Sequence, residues 1–253
     1  MVKYFLKEVP MNKTAVILGS SINLGKEIAL EYARNGYNTV ITYLNHEKEA
    51  IEISKFIENN FSVKTLVSKC DIRSEEDLKL LLDKIKSNFN SLDVLINNSA
   101  INIDNSFKQK TKEEFLSVLE TNLVGPFLSS KILGEYMKEF EGSSIINISS
   151  NNAIDSFYIE SLDYDASKAG LINLTHNLAN YFAPFIRVNA ICPGWFLTDK
   201  SINPFLKENE EKKILLNRFG TMNEIAKVVY FLGSENASYI NDAVIKVDGG
   251  KKC

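Results

Sequence analysis

The chain has 253 residues and a net charge of −3, with 45% apolar and 24% charged side chains, enough to bury a sizeable core. Its basic residues are scattered among acids, which excludes a nucleic-acid polyanion as the main partner, because phosphate binding needs clustered Lys and Arg. No run approaches the ~20 apolar residues that span a bilayer, the opening MVKYFLKEVP lacks a signal-peptide core, and three cysteines without a CxxC (Cys70, Cys192, Cys253) beside only two histidines (His46, His176) point to a reducing, cytoplasmic setting with no metal site.

Short β-rich apolar runs alternate with amphipathic helical stretches almost to the end, with no internal repeat or linker, so one domain over 1–253 is expected. Strands are predicted at Ala15–Leu18, Thr39–Tyr43, Val63–Val67, Val94–Ile96, Ser144–Ile148, Arg187–Ile191 and Ala243–Val247. Most are apolar nearly throughout, as in strands buried on both faces of a parallel sheet. Helices open at Ser74-Glu-Glu-Asp77, a capping-box-like start, at Thr111-Lys-Glu-Glu114 and at Thr221-Met-Asn-Glu224, each followed by apolar residues at helical spacing. A long helix over 115–140 and another after Lys168 carry apolar residues on more than one face. Repeated βα units predict an α/β, Rossmann-like, doubly wound parallel sheet of seven strands with helices on both faces. Ligands of such sheets bind at the carboxyl ends of the strands.

After the first strand comes Gly19-Ser-Ser-Ile-Asn-Leu-Gly25. A glycine turn between strand and helix lets the backbone approach a pyrophosphate, and the helix N-terminus offers free N–H groups. Asn23 stands where a middle glycine is usual, and Asn tolerates the left-handed region. An ordinary strand–helix turn is the alternative for this segment. An acid about 20 residues past the loop selects NAD by binding the ribose hydroxyls. Tyr43 falls there instead, which tilts the choice to NADP(H), although no arginine stands at Ile22 or Asn45. Asp71, in Cys70-Asp-Ile72, places a carboxylate where an adenine amino group can donate, or is simply a loop Asp before a helix. The fifth strand ends in Ser149-Ser150, and Tyr164-Asp-Ala-Ser-Lys168 opens a helix. Residues four apart share a helix face. A cation beside the phenol lowers its pKa from ~10 and makes it a usable acid and base.

Taken in order, these elements resemble the short-chain dehydrogenase/reductase family, nearest in pattern to its 3-oxoacyl-acyl-carrier-protein reductase branch. The resemblance also rests on Asn97-Asn98-Ser99-Ala100, Asn122 in Thr-Asn-Leu-Val-Gly, Pro193-Gly194 with Thr198, Arg218-Phe-Gly-Thr221 and Val247-Asp-Gly-Gly250. It implies a nucleotide-binding half over about 12–150 and a catalytic half over about 151–253. It implies Tyr164 as proton donor in reduction, Lys168 on the nicotinamide ribose, Ser150 on the substrate oxygen and Asn122 holding a relay water. Gly19, Ser21, Asn23, Leu24, Gly25, Tyr43, Asp71, Ile72, Asn98, Ser99 and Ala100 would line the cofactor channel, and Pro193, Gly194 and Thr198 would cradle the nicotinamide side.

Three departures stand out. Ser99-Ala100 replaces Ala-Gly. The gap from Ser150 to Tyr164 is one residue longer than usual, which leaves Ser149 as an alternative serine. The run Ala183–Ile186 has no basic residue to dock an acidic carrier protein. The expected substrate is a small carbonyl compound or alcohol, with the segment Leu197–Asn209 as a lid and Trp195, Phe196, Ile202 and Phe205 either lining an apolar pocket there or packing the lid. A sugar or polyol dehydrogenase, a pteridine-type reductase and a non-catalytic nucleotide sensor or scaffold are the alternatives. Resemblance further implies a homotetramer or homodimer built on the two long helices.

Overall fold

In the computed structural model, which describes residues 12–197 and 204–250, seven parallel strands form one sheet in the order β3-β2-β1-β4-β5-β6-β7. The strands are β1 (Thr14–Leu18), β2 (Asn38–Tyr43), β3 (Thr65–Lys69), β4 (Val94–Asn97), β5 (Ser143–Ile148), β6 (Ile186–Pro193) and β7 (Val244–Val247). All seven predicted strands are present. The third begins at Thr65 rather than Val63, because the Val63 N–H is spent on the carbonyl of Phe61 and the Lys64 N–H on Asn38 Oδ1.

Alternate residues of β1 point to opposite faces, as the two-residue period of a strand requires. Ala15 and Ile17 join a core with α1 (Asn23–Arg34), α2 (Glu47–Asn60) and α8 (Met222–Gly233). Val16 and Leu18 join the opposite core with α3 (Glu75–Asn88), α5 (Gly125–Met137) and α6 (Leu162–Phe182). Two further helices, α4 (Lys112–Leu119) and α7 (Pro204–Lys212), complete the set of α-helices among the described residues. The capping boxes at Thr111 and Thr221 are complete, and Ser74 Oγ accepts the Asp77 N–H.

The long helix expected over 115–140 is helical from Lys112 to Met137 but is not α-helical throughout. It runs as α4, a π-helical turn over Glu120–Val124, then α5, which ends at Met137. The sequence pattern is helical throughout, but Asn122 in the turn is drawn out of register by tertiary hydrogen bonds. Such single π turns concentrate at functional sites.

A buried polar chain crosses the second core below the strand ends. Ser129 Oγ donates to Asn97 Oδ1 (2.6 Å), Asn97 Nδ2 to Asn147 Oδ1 (2.7 Å) and Asn147 Nδ2 to Thr175 Oγ1 (2.8 Å). Fully satisfied networks of this kind fix one packing arrangement, here that of β4 and β5 against α5 and α6. The strand order reverses between β1 and β4, which opens a crevice at their carboxyl ends.

Candidate active site

A cavity of about 950 Å³ lies along those strand ends. At one end, Gly19, Ser21, Asn23, Leu24 and Gly25 line it, on the turn from β1 into α1. Gly19 has φ +72° and Asn23 φ +50°, so the Asn takes the left-handed conformation expected of it. The helix N-cap, Ile22, offers no side-chain cap, and the first N–H groups of α1 stay free for an anion. A Cβ on Gly25 would lie 2.2 Å from the Gly19 carbonyl oxygen. The turn is pinned to β2, with Gly19 N–H donating to Thr42 Oγ1 (2.8 Å) and Ser20 Oγ accepting from the Thr42 N–H (3.0 Å). Ser20 and Thr42 went unread in the sequence, where isolated hydroxyls carry no pattern.

Farther along this end come Tyr43, Asp71, Ile72, Asn98, Ser99 and Ala100. Tyr43 donates its hydroxyl to Glu47 Oε1 (2.7 Å), an acid at the start of α2. Arg73 also lines the cavity and holds Asp71 as a fork, with Nη2 at 2.6 Å from Oδ2 and Nε at 2.9 Å from Oδ1. The guanidinium lowers the Asp71 carboxyl pKa. Asp71 is therefore a neutralised acid rather than a free one, a pairing that adjacent positions in a loop do not reveal without coordinates. Asn98 Nδ2 reaches back to the Gly19 carbonyl (2.8 Å), tying β4 to the glycine turn. Ser99 presses on Gly19, where an added Cβ would lie 2.5 Å from Ser99 Oγ.

At the other end, Ser150, Tyr164, Lys168, Pro193 and Gly194 converge. Ser150 lies beside the Tyr164 phenol and favours its ionised form. Ser149 is turned away, its Oγ donating to the carbonyl of Lys168 at 2.8 Å. The extra residue in the loop thus leaves Ser150, not Ser149, facing the tyrosine. Lys168 is 2% exposed and donates to the Ile148 carbonyl (2.8 Å), with Nζ 5.5 Å from the Tyr164 ring centroid. Burial pulls the ammonium down to about 8.

One electrostatic expectation is corrected. The Tyr164 phenol is not lowered; desolvation pushes it up to about 12, Ser150 opposing and the nearby Asp165 adding to the rise. Spacing on a helix brings Lys168 to the correct face, but its ammonium is committed to a carbonyl and is itself desolvated.

Asn122 does not line this cavity. It is fully buried, its Oδ1 accepting from the Ile101 N–H (2.9 Å) and its Nδ2 donating to the Ile101 carbonyl (2.9 Å) and to Ser167 Oγ (3.1 Å). Both amide N–H groups are spent, so they have no free donor for a water. Ser167 passes the tie on by donating to the Tyr164 carbonyl (2.7 Å). Thr198 and Ile202 lie outside the described residues, as does the side chain of Phe205. Trp195 and Phe196 do line the cavity. Trp195 stacks on Phe219 (5.5 Å, 13°) and meets Tyr158 edge-on (6.4 Å), while the Tyr158 hydroxyl donates to Glu210 (3.3 Å).

A family model described as enoyl-(acyl carrier protein) reductase matches residues 19–252. The 3-oxoacyl-acyl-carrier-protein reductase FabG of Staphylococcus aureus is 34% identical over 244 residues, covering 95% of this chain and 98% of its own. The chain belongs to the short-chain dehydrogenase/reductase family. It is therefore an oxidoreductase, and enzymes of this family use NAD(P)H. Glucose 1-dehydrogenase 2 of Bacillus subtilis is also 34% identical over 244 residues, covering 94% of each chain. Among solved structures, a dehydrogenase/reductase from Sinorhizobium meliloti superposes with a TM-score of 0.90 at 27% identity, covering 95% of both chains. Acetoin dehydrogenase YohF from Salmonella typhimurium does so with a TM-score of 0.86 at 29% identity, covering 95% and 96%. Three of these relatives carry different substrates in their names, a 3-oxoacyl carrier protein, glucose and acetoin.

Proposed function

We propose that this chain, working as one domain, reduces the ketone of a small or medium substrate, most nearly a free 3-oxoacyl-thioester-like compound, with NADP(H) favoured over NAD(H). The observation that carries the reading is the convergence of Ser150, Tyr164 and Lys168 at one end of a cavity whose other end is the glycine turn. The turn fits a dinucleotide diphosphate, since the close approach at Gly25 and the free N–H groups of α1 leave room and donors for an anion. When bound, the nicotinamide supplies the hydride. Gly19, Ser21, Asn23, Leu24 and Gly25 would hold the diphosphate, Tyr43, Asp71 and Ile72 the adenosine, and Asn98, Ser99, Ala100, Lys168, Pro193, Gly194 and Thr198 the nicotinamide half.

Tyr164 gives the substrate oxygen its proton. The phenol, pushed up to about 12 by burial, holds its proton at neutral pH and is in the form that can donate, although the rise by itself makes it a weaker acid. Ser150 hydrogen-bonds the same oxygen and orients it. Lys168 keeps two ammonium hydrogens for ribose hydroxyls after its bond to Ile148. Asn122 acts through Ser167 and the π turn, and any water it holds rests on its main chain or on the second Oδ1 lone pair.

The cofactor preference is supported by the lack of an acid at the end of β2 and by Arg73, which neutralises Asp71 and adds a guanidinium to the adenosine end. We expect kcat/KM for NADPH to exceed that for NADH by about tenfold or more, the scale of one ionic contact. A clear NADH advantage in that comparison would reverse the assignment.

The substrate end carries Asp104 and Glu160, with Glu210 paired to Lys213 (2.6 Å), and no basic side chain besides Lys168 lines it among the described residues. An acidic carrier protein is repelled by such a mouth. A free 3-oxo ester or thioester should therefore be reduced with a kcat/KM comparable to that of its carrier-bound form. A preference for the carrier-bound form by orders of magnitude, lost on adding salt, would overturn this.

The enzyme is read as a cytoplasmic homotetramer or homodimer. Leu116, Val124 and Phe127 are exposed on the α4–α5 edge and support an interface, whereas Met137, Leu171, Leu178 and Phe182 belong to the core. No helix of the described residues is long and apolar enough to cross a membrane.

A further inference from the structure

The loop after β4 lines the cavity through Asn98, Ala100, Asn102 and Asp104. Its start is held by Asn122 at Ile101. Its far end carries Lys110, whose side chain is only 5% exposed and faces an Asp163 side chain that is 0% exposed. Lys110 Nζ lies 3.1 Å from Oδ1 and 3.0 Å from Oδ2 of Asp163, and it also donates to the Ile103 carbonyl of its own loop. Asp163 Oδ1 accepts the backbone N–H of Tyr164 at 3.0 Å. A backbone bond from the Asn105 N–H to the Glu160 carbonyl (3.1 Å) runs alongside.

Burying two charges is costly unless each is fully hydrogen-bonded. Here the ammonium has both carboxylate oxygens and a carbonyl. The carboxylate has the ammonium and a main-chain N–H, in the first turn of α6, where the helix dipole favours negative charge. Neither side chain lines the large cavity, so the pair cannot touch a ligand there. What it touches is the main chain on both sides of the reacting group, the pocket loop at Ile103 and the helix turn at Tyr164.

We infer that Lys110 and Asp163 are a buried strut that fixes Tyr164 against the pocket loop, making both of them positioning residues for proton transfer. This rests on Tyr164 being the proton donor. Removing one partner strands a charge in the interior, and the turn bearing Tyr164 must shift to solvate it. Replacing both by neutral side chains of similar size removes the stranded charge.

The test compares Lys110→Met, Asp163→Asn, the double variant and Tyr164→Phe, measuring kcat, substrate KM and the dissociation constant of NADPH. A displacement near 1 Å costs on the order of 10²-fold in turnover. Lys110→Met should therefore lose about 30-fold or more in kcat, with substrate KM and NADPH affinity held within about threefold. The double variant removes the stranded charge but still lacks the strut, so it should recover part of that loss and stay about tenfold below wild type, whereas full recovery would mean that the pair positions nothing. Lys110→Met with wild-type kcat while Tyr164→Phe is inactive overturns the strut and leaves the acid assignment standing. An active Tyr164→Phe overturns the acid assignment itself. Should Lys110→Met fail to bind NADPH, the double variant is compared with Asp163→Asn. A higher kcat in the double supports the strut, and an equal or lower one overturns it.

Discussion

Replacing Tyr164 by Phe is expected to cut kcat by about three orders of magnitude, within the range that a positioned general acid supplies. At about 1.4 kcal/mol per tenfold, that is about 4 kcal/mol of transition-state stabilisation. The phenol faces the cavity beside Ser150, and at neutral pH it is in the donating form. The ring stays in Tyr164→Phe, so packing and the Ser167 bond to the main-chain carbonyl are kept. NADPH affinity should stay within about threefold, since only one hydroxyl is lost. Steady-state kinetics with NADPH binding measured by fluorescence checks both halves. Turnover like that of the wild type would remove Tyr164 from the chemistry.

Gly25→Ala should act on the opposite end and fail differently. Its added Cβ would lie 2.2 Å from the Gly19 carbonyl oxygen, 2.7 Å from Asn98 Nδ2 and 2.8 Å from Ser20 Cα. Two of these are main-chain atoms, and the third belongs to the side chain that closes the turn on the Gly19 carbonyl. Nothing flexible can yield, so the turn opens and the N–H groups of α1 lose their aim. We expect NADPH affinity to fall by about 10²-fold or more, roughly 3 kcal/mol. Overpacking of this kind typically costs about 1–3 kcal/mol of stability. Titration of nicotinamide fluorescence and a thermal melt measure the two effects. An NADPH affinity within threefold of wild type would mean that the turn does not cradle the diphosphate.

The inner strands were readable because burial on both faces leaves largely apolar runs, while the edge strands β3 and β7 are only partly buried, and the start of α3 was readable because a capping motif has a fixed spacing. The glycine turn, Ser150, Tyr164 and Lys168 were readable as an ordered set tied to strand ends. What escaped depends on contacts between distant segments. The π turn at Asn122 is set by Ile101 and Ser167, which helical periodicity cannot register. Arg73 looks like one more surface cation until its fork on Asp71 is seen. Lys110 and Asp163, 53 residues apart, each read as ordinary polar residues. The sign of the Tyr164 shift also escaped, because helical spacing reports that Lys168 shares a face but not that its ammonium is held by Ile148. The choice between Ser149 and Ser150 likewise turned on side-chain direction, which a loop of unusual length does not fix in advance.

The central claim, hydride transfer from nicotinamide to a carbonyl carbon in this cavity, is tested most directly by isotope transfer. NADPH deuterated at the transferring nicotinamide carbon, on each face in turn, is incubated with the enzyme and a free 3-oxoacyl thioester, and the alcohol product is analysed by mass spectrometry and NMR. The expected result is one deuterium at the carbinol carbon from one face only, matched to the NADPH consumed, and none with Tyr164→Phe on the same timescale. Tight NADPH binding with no deuterium transferred to that thioester or to any of a panel of ketones, sugars and pterins would contradict the claim and identify the chain as a nucleotide-binding sensor or scaffold.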